Sequence, residues 1–133
     1  MGENKDVPWP VVPSSRVLNA QNITFDVDNI DNFQSPGCYF QAIGKIVIGR
    51  GTYIAQNVGI ITANHNYCNL ELHDEPKDVV IGENCWIGMN SVILPGVCLG
   101  NNVVVGAGAI VTKSFPSNVV IAGNPARVIR SLE

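Results

Sequence analysis

Two side chains in this chain, His65 and His73, exchange protons near neutral pH, and both fall in the stretch ANHNYCNLELHDEPK. A neutral imidazole, with an ordinary pKa of about 6.5, can take the proton from an alcohol as it becomes a nucleophile. Glu71, His73, Asp74, Glu75 and Asp78 crowd the same stretch. Any of them, or a backbone carbonyl, can orient the His65 ring through its second nitrogen. Other chemistries lack their parts. With only two histidines, a site needing three histidine ligands cannot be assembled, and no metal is expected. Cys38, Cys68, Cys85 and Cys98 show no CxxC spacing and are expected to be reduced, small filler residues rather than ligands or nucleophiles. The run GAGAIVTKS lacks the glycine before Lys113 that a phosphate-cradling Walker loop needs, so nucleotide hydrolysis is not expected.

The residues that hold these groups come from a chain of 133 residues, the size of one domain (1–133) able to bury its own core. It is 46% hydrophobic and only 14% charged, a sparse polar cover that points to burial between subunits. A net charge of −3 and a pI near 5.2 provide no basic footprint for nucleic acid or anionic lipid. Neither an apolar run of membrane-spanning length nor a signal-peptide layout in MGENKDVPWP is present, so no membrane insertion and a cytoplasmic location are expected.

The dominant pattern has a period of six. Ala42, Ile48, Ile54 and Ile60 head successive hexads, and the beat resumes at Ile81, Ile87, Ile93, Leu99, Val105 and Val111. Position two is usually small (Gly49, Ala55, Gly82, Gly88, Gly100, Gly106), and position five is small or β-branched (Thr52, Val58, Cys85, Ser91, Val97, Val103, Ala109). Neither a helix nor a plain strand has this period. Short strands joined by tight turns do, and stacked hexads make a β-helix in which each rung buries its aliphatic head on the rung below. The expected architecture is all-β: coils over about 24–126 with a frayed first coil, a protruding loop at 66–80, and a C-terminal tail at 127–133. The arm at 1–23 is expected to be extended, because VPWPVVPSSR carries three prolines.

The beat breaks after the hexad IITANH, and fifteen residues, NYCNLELHDEPKDVV, follow before it returns. Insertions in a solenoid become loops thrown out from one corner. With this interruption, the pieces IGRGTYIAQNVGIITANH, IGENCWIGMNSVILPGV, VVGAGAIVTK and VIAGNPARVIR make the chain over 39–130 resemble the hexapeptide-repeat acyltransferases of left-handed parallel β-helix fold. Within them it is most similar to the galactoside, maltose and surface-polysaccharide O-acetyltransferases.

The resemblance implies a homotrimer with active sites between neighbouring prisms, acetyl-CoA as acyl donor, and His65 as general base, with His73 as a competing candidate. It implies that the donor's pantetheine arm lies along Trp86, Gly88, Met89 and Ala107, with Gly106 and Gly108 beside them and corner backbone N–H groups facing it. Met89 stands where relatives often carry serine. Thr112 and Lys113 match a position near the adenine and phosphate end, and Arg127 and Arg130 match arginines that meet the coenzyme's phosphates, a task suited to a guanidinium fork. Gln41, Asn57 and Asn64 are expected at the acceptor. The implied activity is O-acetylation of a sugar or surface-polysaccharide precursor by direct transfer. Serine acetyltransferases and amino-sugar N-acetyltransferases share the coil, but they resemble chains with a large helical or nucleotide-binding region that is not seen here. The roughly forty residues before the clear repeat also make the small free sugars of the maltose and galactoside enzymes weaker expectations than glycan precursors. A γ-type carbonic anhydrase would need a third histidine, and a non-catalytic β-helix would need neither His65 nor the arginines.

Overall fold

A computed structural model describes residues 4–133; residues 1–3 of the expected arm lie outside the described residues. Short strands carry the fold: β1 (Arg16–Leu18), β2 (Ile23–Phe25), β3 (Tyr39–Gln41), β4 (Ile46–Ile48), β5 (Tyr53–Ile54), β6 (Gly59–Ile61), β7 (Val79–Ile81), β8 (Trp86–Ile87), β9 (Val92–Ile93), β10 (Cys98–Leu99), β11 (Val103–Val105) and β12 (Ile110–Val111), then the longer β13 (Val119–Gly123) and β14 (Ala126–Ser131). They stack into three walls of a left-handed parallel β-helix: a first wall β1-β3-β6-β9-β12, a second β10-β7-β4-β2, and a third β14-β13-β11-β8-β5. Val80 pairs with Cys98 and Val92 with Ile110, partners eighteen residues apart, so three hexads make one turn.

The nine hexad heads from Ile48 to Val111 are buried, and so are the fifth-position residues Thr52, Val58, Cys85, Ser91, Val97, Val103 and Ala109; Ala42 is buried too, but Phe40 rather than Ala42 pairs with Ile60 and heads the first of these rungs. Each large aliphatic head so buried contributes about 1.5–3 kcal/mol, which penalises any slip in register. The second position is small because coils touch backbone to backbone. A Cβ on Gly82 would overlap the carbonyl of Gly100 in the next coil. Asparagines make the left-handed corners that the walls require: Asn84, Asn102 and Asn118 between the second and third walls, and Asn57 and Asn90 between the third and first. Asparagine tolerates this conformation better than other side chains with a Cβ.

Three boundaries differ from the sequence expectation. The coils begin at Arg16 rather than 24, because Arg16 pairs with Tyr39 and Leu18 with Gln41. The remainder of the arm folds over the first coil, where Trp9 packs edge-on to Phe25 at 4.9 Å and against Phe33 at 5.1 Å, closing the end of the prism with aromatic rings. Residues 127–131 are not a free tail: Ala126–Ser131 turns back past a cis Asn124–Pro125 peptide and pairs antiparallel with β13. The loop ends at Asp78, since Val79 is already buried in β7.

The first coil has no third-wall strand. A 3₁₀ segment, Val27–Gln34, stands there instead, and the buried side chain of Asn32 replaces the missing ladder. Its amide nitrogen donates to the Thr52 carbonyl (2.8 Å) and its oxygen accepts from the Ile54 N–H (2.9 Å). Asn32→Leu keeps the volume but strands both backbone groups, at about 1–3 kcal/mol each. A markedly lower thermal midpoint is expected, measured by circular dichroism at matched protein concentration; an unchanged midpoint would show that water satisfies these groups.

Candidate active site

The break in the hexad beat lies inside a hexad, not after it. Ala63 is buried, but Asn64, in the fifth position that should be buried, is exposed, and Val79 takes that inward place. His65 is therefore within the loop rather than at the end of a coil. The β4–β7 partners Ile46 and Val79 are thirty-three residues apart, one turn of eighteen plus the fifteen inserted.

The loop is a small antiparallel hairpin. The Asp74 N–H donates to the Asn64 carbonyl (2.9 Å) and the Asn66 N–H to the Leu72 carbonyl (2.7 Å). These bonds flank His65 and His73, which face each other as a non-hydrogen-bonded pair, the arrangement that brings cross-strand side chains closest. Their rings stack with centroids 4.6 Å apart and planes 25° apart. The turn is closed by asparagines: Asn66 accepts from the Cys68 and Asn69 N–H groups, its amide donates to Asp74, and Asn69 accepts from the Glu71 N–H.

This turn sets the chemistry of His65. Its Nδ1 lies 2.8 Å from the Leu70 carbonyl. A carbonyl only accepts, so Nδ1 carries the hydrogen and the neutral ring keeps its lone pair on Nε2. Among the described residues, nothing bonds Nε2, and the side chain is exposed. A backbone carbonyl, not one of the loop carboxylates, is the orienting group.

The other expected residues gather on two edges of the prism, separated by the width of the first wall. On the third-to-first edge, Trp86, Gly88, Met89 and Ala107 line one apolar trough of about 390 Å³ with Ala55, Val104, Val105 and Gly106. Strand register extends its floor of small residues. The Gly88 N–H donates to Val105, the Gly106 N–H to Ile121, and Ala122 pairs with Arg127. Arg130 pairs with Val120, in the column that holds Trp86 and Val104. Both arginines are exposed. On the first-to-second edge, Asn64 and Thr112 line a polar groove of about 250 Å³ with Asp74, Glu75, Lys77, Leu94 and Pro95. Lys113 follows Thr112, its ammonium 5.6 Å from the Phe115 ring centroid.

Several expectations change. The N–H groups of Gly88, Gly106 and Gly108 are engaged between coils and cannot meet a ligand; among the residues lining the trough, the corner N–H groups without a backbone partner belong to Met89 and Ala107. Glycine at 88 is required by the coil itself, since a Cβ there would press on the Val105 carbonyl. Asn57 is a left-handed corner on the trough's edge, away from the loop. Gln41, expected at the acceptor, is buried and bonded to the coil, with Nε2 donating to the Ala63 carbonyl (3.0 Å) and Oε1 accepting from the Thr62 and Ala63 N–H groups (2.9 Å each). Only Cys38 and Cys85 are buried fillers, their thiols pushed above the ordinary range by burial; Cys68 and Cys98 are exposed. Tyr53 was not among the expected site residues. It pairs with Trp86 and, like it, stands exposed beside a second apolar depression. Both occupy the sixth place of a hexad, a signal visible once the hexads are written in columns.

Residues 78–113 match the family model of the bacterial transferase hexapeptide, six repeats. Galactoside O-acetyltransferase of Escherichia coli strain K12 is 46% identical over 141 residues, covering 99% of this chain and 63% of that protein. The chain is similar to hexapeptide-repeat acetyltransferases over nearly all of its length. A crystal structure of a hexapeptide-repeat acetyltransferase of Vibrio cholerae O1 biovar eltor complexed with acetyl-CoA superposes with a TM-score of 0.80 at 27% identity, covering 96% of this chain and 69% of that one. The maltose O-acetyltransferase of Clostridium difficile 630 gives 0.67 at 38% identity, covering 91% and 60%. The chain spans 46% to 63% of the length of the curated relatives it matches. Among the described residues, no helix is long and apolar enough to cross a membrane.

Because Gln41 clamps the backbone two residues before His65, this hexapeptide-repeat chain ties its loop to the coil by a side-chain amide. Gln41→Met should leave the prism folded but speed amide hydrogen exchange at Thr62 and Ala63 by about tenfold or more, as expected for losing a bond worth roughly 1–1.5 kcal/mol. Unaltered exchange at both amides would show that the coil alone fixes the loop.

Proposed function

We propose that the chain transfers an acetyl group from acetyl-CoA to a hydroxyl of a sugar or surface-polysaccharide precursor, with His65 as general base. The observation that carries this is the His65 ring, held through Nδ1 by the Leu70 carbonyl with Nε2 unpaired and exposed. That is the state a base needs before substrate arrives.

Acetyl-CoA supplies the activated acetyl group as a thioester. The trough fits its arm, since a floor of small residues leaves room for a narrow chain while Trp86 and Met89 give it apolar walls. Arg127 ends that column, with Arg130 beside it, where guanidinium groups pair with phosphate. On the neighbouring edge, the polar groove of Asn64, Asp74, Glu75, Lys77 and Thr112 provides amide, carboxylate, ammonium and hydroxyl groups of the kind that bond sugar hydroxyls. His65 Nε2 takes the proton of the attacking hydroxyl as its oxygen bonds to the acetyl carbon. The carbon–sulfur bond breaks, and the proton passes to the departing thiolate, so no acyl-enzyme is required. The unpaired N–H groups of Met89 and Ala107 are the edge donors able to face a thioester oxygen.

Within one chain, the first wall separates this trough from the loop. The complete site is therefore formed by two copies, the loop edge of one against the trough edge of the next, in a cyclic trimer that repeats the contact three times.

His65→Ala should lower the acetyl-transfer rate by roughly 10²–10⁴, the usual worth of general-base assistance, without loss of secondary structure, because the side chain is exposed. Release of free CoA measured over a panel of sugar and glycan acceptors, alongside circular dichroism, reads both effects. A folded His65→Ala protein with near wild-type turnover would remove His65 from the chemistry.

A further inference from the structure

We infer that His73 is a positioning residue for His65: its ring, stacked across the loop hairpin, holds the His65 imidazole in the plane from which Nε2 meets the acceptor. This rests on the reading of His65 as the base.

The bond from Nδ1 to the Leu70 carbonyl fixes one edge of the His65 ring. A single in-plane hydrogen bond leaves the ring of an exposed side chain free to swing about that bond. A flat partner on its face removes the remaining freedom, and His73 is the only ring within stacking reach among the described residues. The contact is not a by-product of core packing, since both side chains are exposed. It follows instead from hairpin register: the Asp74-to-Asn64 and Asn66-to-Leu72 bonds make positions 65 and 73 the close pair. Moving the register by one residue would place His73 on the other face. The surrounding charges do not compete for the ring. Asp74 is bonded by the Asn66 amide, Asp78 accepts from the Lys45 N–H, and among the described residues no hydrogen bond joins Glu71, Glu75 or Lys77 side chains to either imidazole. Among the described residues, His73 forms no hydrogen bond through its ring nitrogens, so it supplies a flat surface and not a proton relay.

Stacking as a source of loop stability alone would be satisfied by any good cross-strand partner, such as valine or threonine. Orientation of a base requires a ring. The test compares His73→Val with His73→Phe in the full-length protein. Steady-state kinetics with acetyl-CoA and an accepted sugar are combined with nitrogen-15 NMR of the His65 ring, which reads its tautomer without any turnover. His73→Val should lower kcat by about 10- to 100-fold, the scale of a small misplacement of a catalytic group. Both Michaelis constants should be little changed, and the His65 spectrum should become a mixture of tautomers. His73→Phe should restore kcat to within about threefold and return the Nδ1–H tautomer. Equal kcat in His73→Val and wild type together with an unchanged His65 ring spectrum, or a His73→Phe protein as slow as His73→Val, would overturn the proposal. If His73→Val melts the hairpin, seen as rapid exchange of the Asn66 and Asp74 amides, the His73→Phe result decides alone. Should His65 prove not to be the base, turnover would be insensitive to both variants while the NMR arm still reports whether His73 orients the ring.

Discussion

Everything in this molecule depends on coil stacking upon coil at backbone contact. Parallel strands eighteen residues apart share hydrogen bonds, and at the corners Gly49 lies against Gly82 and Gly82 against Gly100 with no room for a Cβ. The aliphatic heads then fall into three columns, one inside each wall, and the interior fills without choice. Because each rung answers only to the rungs above and below, the chain can leave the prism for fifteen residues and return in register, as it does between β6 and β7. The entropic cost of such an excursion grows only with the logarithm of its length. The scaffold is thus rigid where it stacks and permissive at its corners, and the candidate base stands on the one long excursion.

Where the stack is incomplete, side-chain amides stand in for backbone. Asn32 completes the third wall beneath β5, and Gln41 grips the strand-end residues Thr62 and Ala63 just before the loop. Each amide offers a donor and an acceptor at the spacing of a peptide group, so Asn32 satisfies two backbone groups at once and Gln41 three. The loop inherits its position from this arrangement in steps. The coil holds Gln41, Gln41 holds Ala63, the hairpin places Leu70 beneath His65, and the Leu70 carbonyl decides which nitrogen of His65 is free.

The walls were legible in the sequence because their rule is local and repeated: an aliphatic residue every six, followed four later by a small or β-branched residue in eight of ten hexads, marks buried positions throughout, and it misplaces only the first head, where Phe40 and not Ala42 pairs with Ile60. The site was legible in kind, since a histidine at the break in the beat is the side chain that lies on the loop. Its details were not. Asn64 and Val79 compete for the same inward place, and a count of six alone cannot decide between them; burial does, in favour of valine. The backbone bonds of Gln41 were not legible, because its partners Thr62 and Ala63 lie one coil away in the stack. The stack of His73 on His65 depends on hairpin register, which arises from the Asn66 and Asn69 turns and has no periodic signature. The engagement of alternate N–H groups along the trough depends on coil-to-coil hydrogen bonding, which composition does not reveal.

The central claim is that the base and the donor trough, held on two edges of one prism, meet only across a contact between copies. Mixing two inactive variants tests this directly: His65→Ala, which keeps the trough, and Ala107→Trp, which fills it from an exposed position while keeping the base. Unfolded together and refolded at equal ratio, random trimers would contain intact sites at roughly a quarter of their contacts, and about that share of wild-type acetyl transfer should return. Complete absence of activity at every mixing ratio, with mixed assemblies present, would place base and trough in the same chain and contradict the account.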